Sequence, residues 1–233
     1  EQTKEKTVSF LNEFDFDIKF VQEVSIFHAD SIEKLKNNLF TIKNSTKQEE
    51  NFFRYYVDRV FSPKGIGTVV TGTVLGKKLE LNEKVFISEA QKESKIKNIQ
   101  VHNENALEAN ISNRAALNLQ GINSTNIKRG DLITKKGHVR GFDEIDISFK
   151  ALKGKKLHHN KSYTVFVGAK KLEAKILLFD STQELDSGYA TIKADEKLFT
   201  IFGEKLIIRQ GNQTISGGKV LNPIIDPMKK NQK

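Results

Sequence analysis

From Asn51 to Asn222 apolar and polar residues alternate in short runs, and Gly, Asn or Lys turns interrupt them about every ten residues. A period of two puts successive side chains on opposite faces of a strand, so this part of the chain is built from strands that must close into a barrel or a sandwich. The spacing predicts strands from Phe52 to Phe61, Thr68 to Leu75, Lys84 to Ser88, Lys95 to Val101, Asn113 to Leu119 and Leu132 to Thr134. After a Lys-Lys-Gly-His junction at 135–138, a second set runs from Val139 to Asn222. It includes Tyr163 to Gly168, Leu172 to Phe179, Tyr189 to Lys193, Lys205 to Arg209 and Thr214 to Leu221. The class is therefore mainly β, with two small barrels over 51–138 and 139–225 and a basic tail over 226–233.

The first fifty residues have a different texture, with apolar residues at helical spacing, and read as helix, strand, helix. Asp30 reads as an N-cap with Glu33 completing a capping box, and Ile32, Leu35 and Leu39 share one face of a helix ending near Lys43. The polar run Asn44-Ser45-Thr46-Lys47-Gln48-Glu49-Glu50 has no apolar residue to anchor it and reads as a linker.

Composition narrows the chemistry. The formal net charge of +9 is carried mostly by scattered lysines, which suits a polyanion-binding surface and is equally produced by a genome that favours Lys codons. With no Cys there is neither a disulfide framework nor a thiolate metal site, so the cytoplasm is the expected compartment. No window approaches the roughly 20 consecutive apolar residues of a membrane-spanning helix, and no export signal opens the chain. The start at Glu1-Gln2-Thr3-Lys4 and the polar end at Lys233 read as an excised segment.

Few motifs carry chemistry. Gly65-Ile66-Gly67-Thr68-Val69-Val70-Thr71-Gly72 fits neither glycine-rich phosphate loop, and β-branched residues follow where a helix would start. Gly65, Gly67 and Gly72 are read as structural turn residues of a hairpin that begins at Pro63. Arg129-Gly130-Asp131 and three N-x-S/T triplets are read as turn chemistry. The five His show no metal-ligand spacing, and neither a serine nucleophile elbow nor a paired acid and base can be picked out, so no catalytic or metal site is expected. What stands out is charge inside an apolar strand pattern: Asp58 and Arg59 before Val60-Phe61, and Arg114 at the start of a later strand. An Arg there needs either a carboxylate partner or an anionic ligand.

The stretch Phe53-Arg54-Tyr55-Tyr56-Val57-Asp58-Arg59-Val60-Phe61 followed by Gly65 to Val74 resembles the opening of the second domain of translational GTPases. The resemblance continues in register through Leu81 to Val85, Asn113 to Leu119 and Ile127 to Leu132. Within that superfamily the chain is similar to the selenocysteine-specific elongation factors, the SelB family. It has Asp58-Arg59 where the general factor EF-Tu carries two acidic residues, Arg114 to Gly121 resembles the family's R-x-A-L-N-x-x-G strand, and Gly203 to Arg209 with Thr214 to Pro223 resembles its third-domain signatures. Glu204-Lys205 stands where the family has Asp-Arg, and Ser216 replaces the first of three glycines.

The resemblance implies two EF-Tu-like barrels, domains II and III, preceded by the α/β end of a GTPase domain. No phosphate loop, D-x-x-G or N-K-x-D occurs, so the segment itself is not expected to be an enzyme or to carry a cofactor, whereas the complete protein is expected to be a GTPase using GTP and Mg. The implied partners are selenocysteinyl-tRNA and the ribosome, with a selenoprotein mRNA hairpin read by C-terminal domains outside this segment. The family places the selenocysteine pocket at Asp58, Arg59 and Arg114. Neighbouring residues on a regular strand face opposite ways, so Asp58 and Arg59 both serve it only if the strand bulges; on a regular strand Arg59 is the ligand. The same barrels in another translational GTPase, or in the GTPase subunit of ATP sulfurylase, are the alternatives.

Overall fold

A computed structural model describes residues 2–12, 18–42 and 50–224, which divide between two compact units, Glu1–Lys47 and Gln48–Lys233. The 44–49 part of the expected linker and the 226–233 tail lie outside the described residues.

The first unit contains α1 (Gln2–Leu11) and α2 (Ala29–Thr41). Helix α2 starts one residue before the expected cap: His28 is the N-cap, without a side-chain cap bond, and Asp30 lies in the first turn. Ser31 explains the earlier start. Its hydroxyl donates to the His28 carbonyl at 2.7 Å and accepts from the Ser25 amide at 3.0 Å, tying the entry turn, while Asp30 complements the positive end of the helix. The strand expected between the two helices is absent among the described residues.

The second unit is all β. Its first barrel comprises β1 (Arg54–Phe61), β2 (Thr68–Leu75), β3 (Leu79–Glu80), β4 (Lys84–Ile87), β5 (Lys92–Val101), β6 (Glu104–Ala106), β7 (Glu108–Ala109), β8 (Arg114–Leu119) and β9 (Leu132–Thr134). The order β4-β9-β1-β2-β8-β5 closes through the pairing of β4 with β5, and β6 adds to the edge of β5. Tyr55, Val57, Val70, Ile96, Leu117 and Ile133 fill its core. The second barrel comprises β10 (Gly141–Ala151), β11 (Leu157–His158), β12 (Lys161–Val167), β13 (Lys170–Leu178), β14 (Glu184–Leu185), β15 (Ser187–Phe199), β16 (Lys205–Gln210) and β17 (Gln213–Asn222), closed in the order β10-β15-β13-β12-β16-β17. Strand β13 shows the logic: Leu172, Ala174, Ile176 and Leu178 point inward and the residues between them outward. Strand β10 is absent from the sequence-derived set. A bulge between Phe142 and Glu144 puts the buried Phe142 and Ile145 three residues apart and breaks the period at the start of the strand, although Ile145, Ile147 and Phe149 alternate beyond it.

Gly65 (φ +80°) and Gly67 (φ +93°) do form the turn between β1 and β2, with the Ile66 amide donating to the Pro63 carbonyl at 3.1 Å. Gly72 does not: it lies within β2, opposite Val57. A Cβ there would collide with the Tyr56 carbonyl and come within 2.9 Å of the Tyr55 ring, whose hydroxyl donates to Ala115 O at 2.8 Å. The bare backbone makes room for a buried tyrosine.

The barrels are held to each other by charge as well as packing. Arg54 donates to Glu50 at 2.6 and 3.1 Å and to Glu204 at 2.6 Å, and the Tyr56 hydroxyl donates to Glu204 at 3.1 Å. On another side Lys170 pairs with Glu196 at 2.9 Å and approaches Glu89 at 3.9 Å, while Glu89 accepts the Leu132 amide at 2.8 Å. Burial first, and the nearby Asp131 charge, push the Glu89 carboxyl up to about 7. Because the folded protein holds this proton more tightly than the unfolded chain, the contribution of Glu89 to stability falls as pH rises from about 4.5 to above 7. Glu89→Gln keeps an oxygen for Leu132 and removes that ionisation. It should raise stability by about 2 kcal/mol at pH 8 and change little at pH 5, as read by urea denaturation at the two pH values.

Candidate functional site

The ladder between β1 and β2 runs in register from Arg54↔Leu75 to Val57↔Gly72, then resumes at Arg59↔Thr71. Asp58 is the extra residue of a bulge. Two main-chain bonds brace it, from the Gly130 amide to Val57 O at 2.8 Å and from the Val57 amide to Asp131 O at 2.9 Å. The bulge is the condition under which Asp58 and Arg59 can serve the same side of the sheet.

Arg114, at the start of β8, pairs with Thr73 across the β2–β8 ladder, and its guanidinium reaches past β2 to Asp58 Oδ2 at 2.8 Å. Arg129, in the turn between Ile127 and Asp131, lies 3.5 Å from Asp58 Oδ1. The hydrogen bond from Arg114 first, then the charges of Arg114, Arg129 and Arg59, hold the Asp58 carboxyl below its usual range. Three guanidiniums against one carboxylate leave a formal +2 concentrated on one face of the first barrel. Arg59 is exposed and enters no ion pair among the described residues.

Arg59 and Arg114 line one open cavity of about 310 Å³, with Phe61, Thr71, Gln100 and His102 among its other walls. Ladder register explains the grouping. Arg59, Thr71, Ala116 and Gln100 form one row across four strands, and Ala116 is too small to fill the space beside Arg114. The Thr71 hydroxyl oxygen is buried with no hydrogen-bond partner, and what the cavity offers a ligand is two guanidiniums. Asp58 itself does not line the cavity; it braces Arg114 from behind.

Of the alternatives read from pattern alone, the carboxylate partner is present for Arg114, since Asp58 takes part of its charge, while Arg59 lines the cavity without an ion-pair partner among the described residues. Sequence reasoning passed over Arg129 as a turn residue and Thr71 as a strand former. No local signal marks either, because Arg129 meets Asp58 from far along the chain and Thr71 joins the cavity wall only through its ladder position opposite Arg59 and Ala116.

A larger cavity of about 910 Å³ opens between the barrels around Glu89, Asp131 and Lys170. Its buried charges face one another, which suits an interface better than an anion site. Among the described residues no group of three or more His, Asp or Glu is placed to hold a metal ion, and no helix is long and apolar enough to cross a membrane.

Residues 144–226 match the family model described as the selenocysteine-specific elongation factor, beta-barrel domain. Over 225 residues the chain is 31% identical to the selenocysteine-specific elongation factor of Haemophilus influenzae, covering 94% of this chain and 35% of that protein. Identity to the corresponding factor of Desulfomicrobium baculatum is 27% over 209 residues, covering 86% of this chain and 33% of that protein. A solved bacterial selenocysteine-specific elongation factor, EF-Sec, superposes with a TM-score of 0.80 at 27% identity, over 98% of this chain and 38% of that one. The chain spans about a third of the length of the curated relatives it matches.

Proposed function

Since the chain belongs to the family of selenocysteine-specific elongation factors, we propose that its two barrels hold selenocysteinyl-tRNA, with the arginine-lined cavity receiving the selenocysteinyl side chain. The observation that carries this reading is that Arg59 and Arg114 share one cavity inside a cluster of formal charge +2. A selenol is acidic enough to be an anion at neutral pH, whereas the seryl precursor is neutral. At about 4 Å and an effective dielectric near 20, one charge pair is worth roughly 4 kcal/mol before desolvation. Solvent screening reduces this strongly, since the Arg114 side chain is 62% exposed; two guanidiniums together then supply about 2–3 kcal/mol, on the order of a hundredfold preference. Around a seryl group the same guanidiniums gain nothing for the desolvation they undergo, which adds discrimination against it.

In this reading 51–138 and 139–225 are the second and third domains of the factor, and the residues up to 50 are the end of its nucleotide-binding domain. GTP with Mg is bound elsewhere in the complete protein, which acts in the cytoplasm, closes on the tRNA and delivers it to the ribosome. The mRNA hairpin is read outside this chain. The barrels' lysines contact tRNA phosphates, adding salt-dependent affinity that cannot tell one aminoacyl group from another.

The test compares selenocysteinyl-tRNA, seryl-tRNA of the same isoacceptor and bulk aminoacyl-tRNA on the full-length factor at two salt concentrations. Raising salt should weaken all three together, while the preference of selenocysteinyl- over seryl-tRNA persists. Equal affinity for the three at both salts would sink the pocket.

A further inference from the structure

His102 occupies a turn that has no need of it. The hairpin joining β5 to β6 pairs Val101 with Glu104 and turns on two residues of positive φ, His102 (+54°) and Asn103 (+68°). Gly, Asn and Asp are the residues this turn favours, and an imidazole adds nothing to its backbone geometry. Its surroundings are another matter. The β5–β8 ladder ends with Gln100↔Ala116 and Val101↔Ala115, so one further step brings His102 level with Arg114. Arg114 therefore has Asp58 on the β2 side and His102 on the β5 side, and His102 lines the same cavity as Arg59 and Arg114. Among the described residues its ring makes no hydrogen bond, and the small Ala116 leaves the space before it open.

We propose that His102 is a specificity-determining residue of this cavity, whose ring N–H donates to the selenolate and completes, with Arg59 and Arg114, a donor set around one anion. The inference rests on the pocket reading above. A hydrogen bond to a charged acceptor is roughly twice as strong as one to a neutral hydroxyl, so the donor favours selenolate over the seryl group. Losing it should cost the preference about fivefold, equivalent to about 1 kcal/mol.

The test uses the full-length factor with His102→Gly, which tolerates the positive φ and removes the donor, beside His102→Asn, which suits the turn but falls short of the imidazole's reach. In both, affinity for selenocysteinyl-tRNA should fall about fivefold while affinity for seryl-tRNA and the thermal midpoint stay unchanged. An equal fall for both tRNAs would mean contact with their shared terminus and overturn the assignment, as would no change in either. Arg114→Ala separates the two levels of failure. If it abolishes the preference and His102→Gly leaves it intact, the His102 assignment alone is wrong. If the wild-type factor shows no preference and Arg114→Ala changes nothing, the pocket reading falls with it.

Discussion

Arg114→Ala in the full-length factor should lower the preference for selenocysteinyl- over seryl-tRNA about a hundredfold, with affinity for seryl-tRNA nearly unchanged. Two losses combine in that number. The guanidinium in the cavity disappears, and Asp58, whose Oδ2 it held at 2.8 Å, loses its closest partner and presents a less neutralised carboxylate near the ligand. Asp58→Asn is the informative companion. It keeps the size of the side chain, removes that repulsion and should restore part of the preference in the Arg114→Ala background, a non-additivity expected of groups in contact. Binding curves for the two tRNAs on the four proteins of this cycle give the answer. An Arg114→Ala factor that discriminates as well as the wild type would remove Arg114 from the site.

The second large effect lies at the contact between the barrels. Arg54 is buried, and its guanidinium is shared by Glu50 and Glu204 at 2.6 Å each. Burial pushes the Glu204 carboxyl up despite the guanidinium against it, so the pair is maintained at a desolvation cost rather than as a large net gain. Arg54→Ala would leave that carboxylate without its cation, and breaking a buried pair from one side costs about 3–5 kcal/mol. The barrels should then melt in two calorimetric steps where the wild type melts in one. Arg54→Met with Glu204→Leu removes both charges and should recover most of the loss. A single, unshifted transition in Arg54→Ala would show that apolar packing around Tyr56, Leu132 and Val139 suffices to couple the barrels.

These predictions rest unequally on what was readable in the chain. The barrels were readable because period-two alternation is a local property, and it placed Thr68–Leu75 and Leu132–Thr134 at their observed limits. It failed at β10, where the bulge near Asp143 interrupts the alternation. Gly72 shows the opposite limit. A glycine after a turn looks like part of it, and only the Tyr55 ring folded over that strand reveals why no side chain fits.

For the candidate site, the amino-acid sequence by itself supplied the residue types, an Asp-Arg pair and a later Arg on strands, with the resemblance that gave them a meaning. It left open whether Asp58 and Arg59 could act together, since that depends on one extra residue in the ladder between Val57 and Arg59. Tertiary structure decided that point, and it decided which residues more distant in the chain would join them: Arg114 and Arg129 on Asp58, Thr71 and His102 beside the cavity. The physical reason is that side-chain identity and alternation are written residue by residue, whereas cross-strand register is set by closure of the whole barrel, and a one-residue shift sends every side chain to the other face.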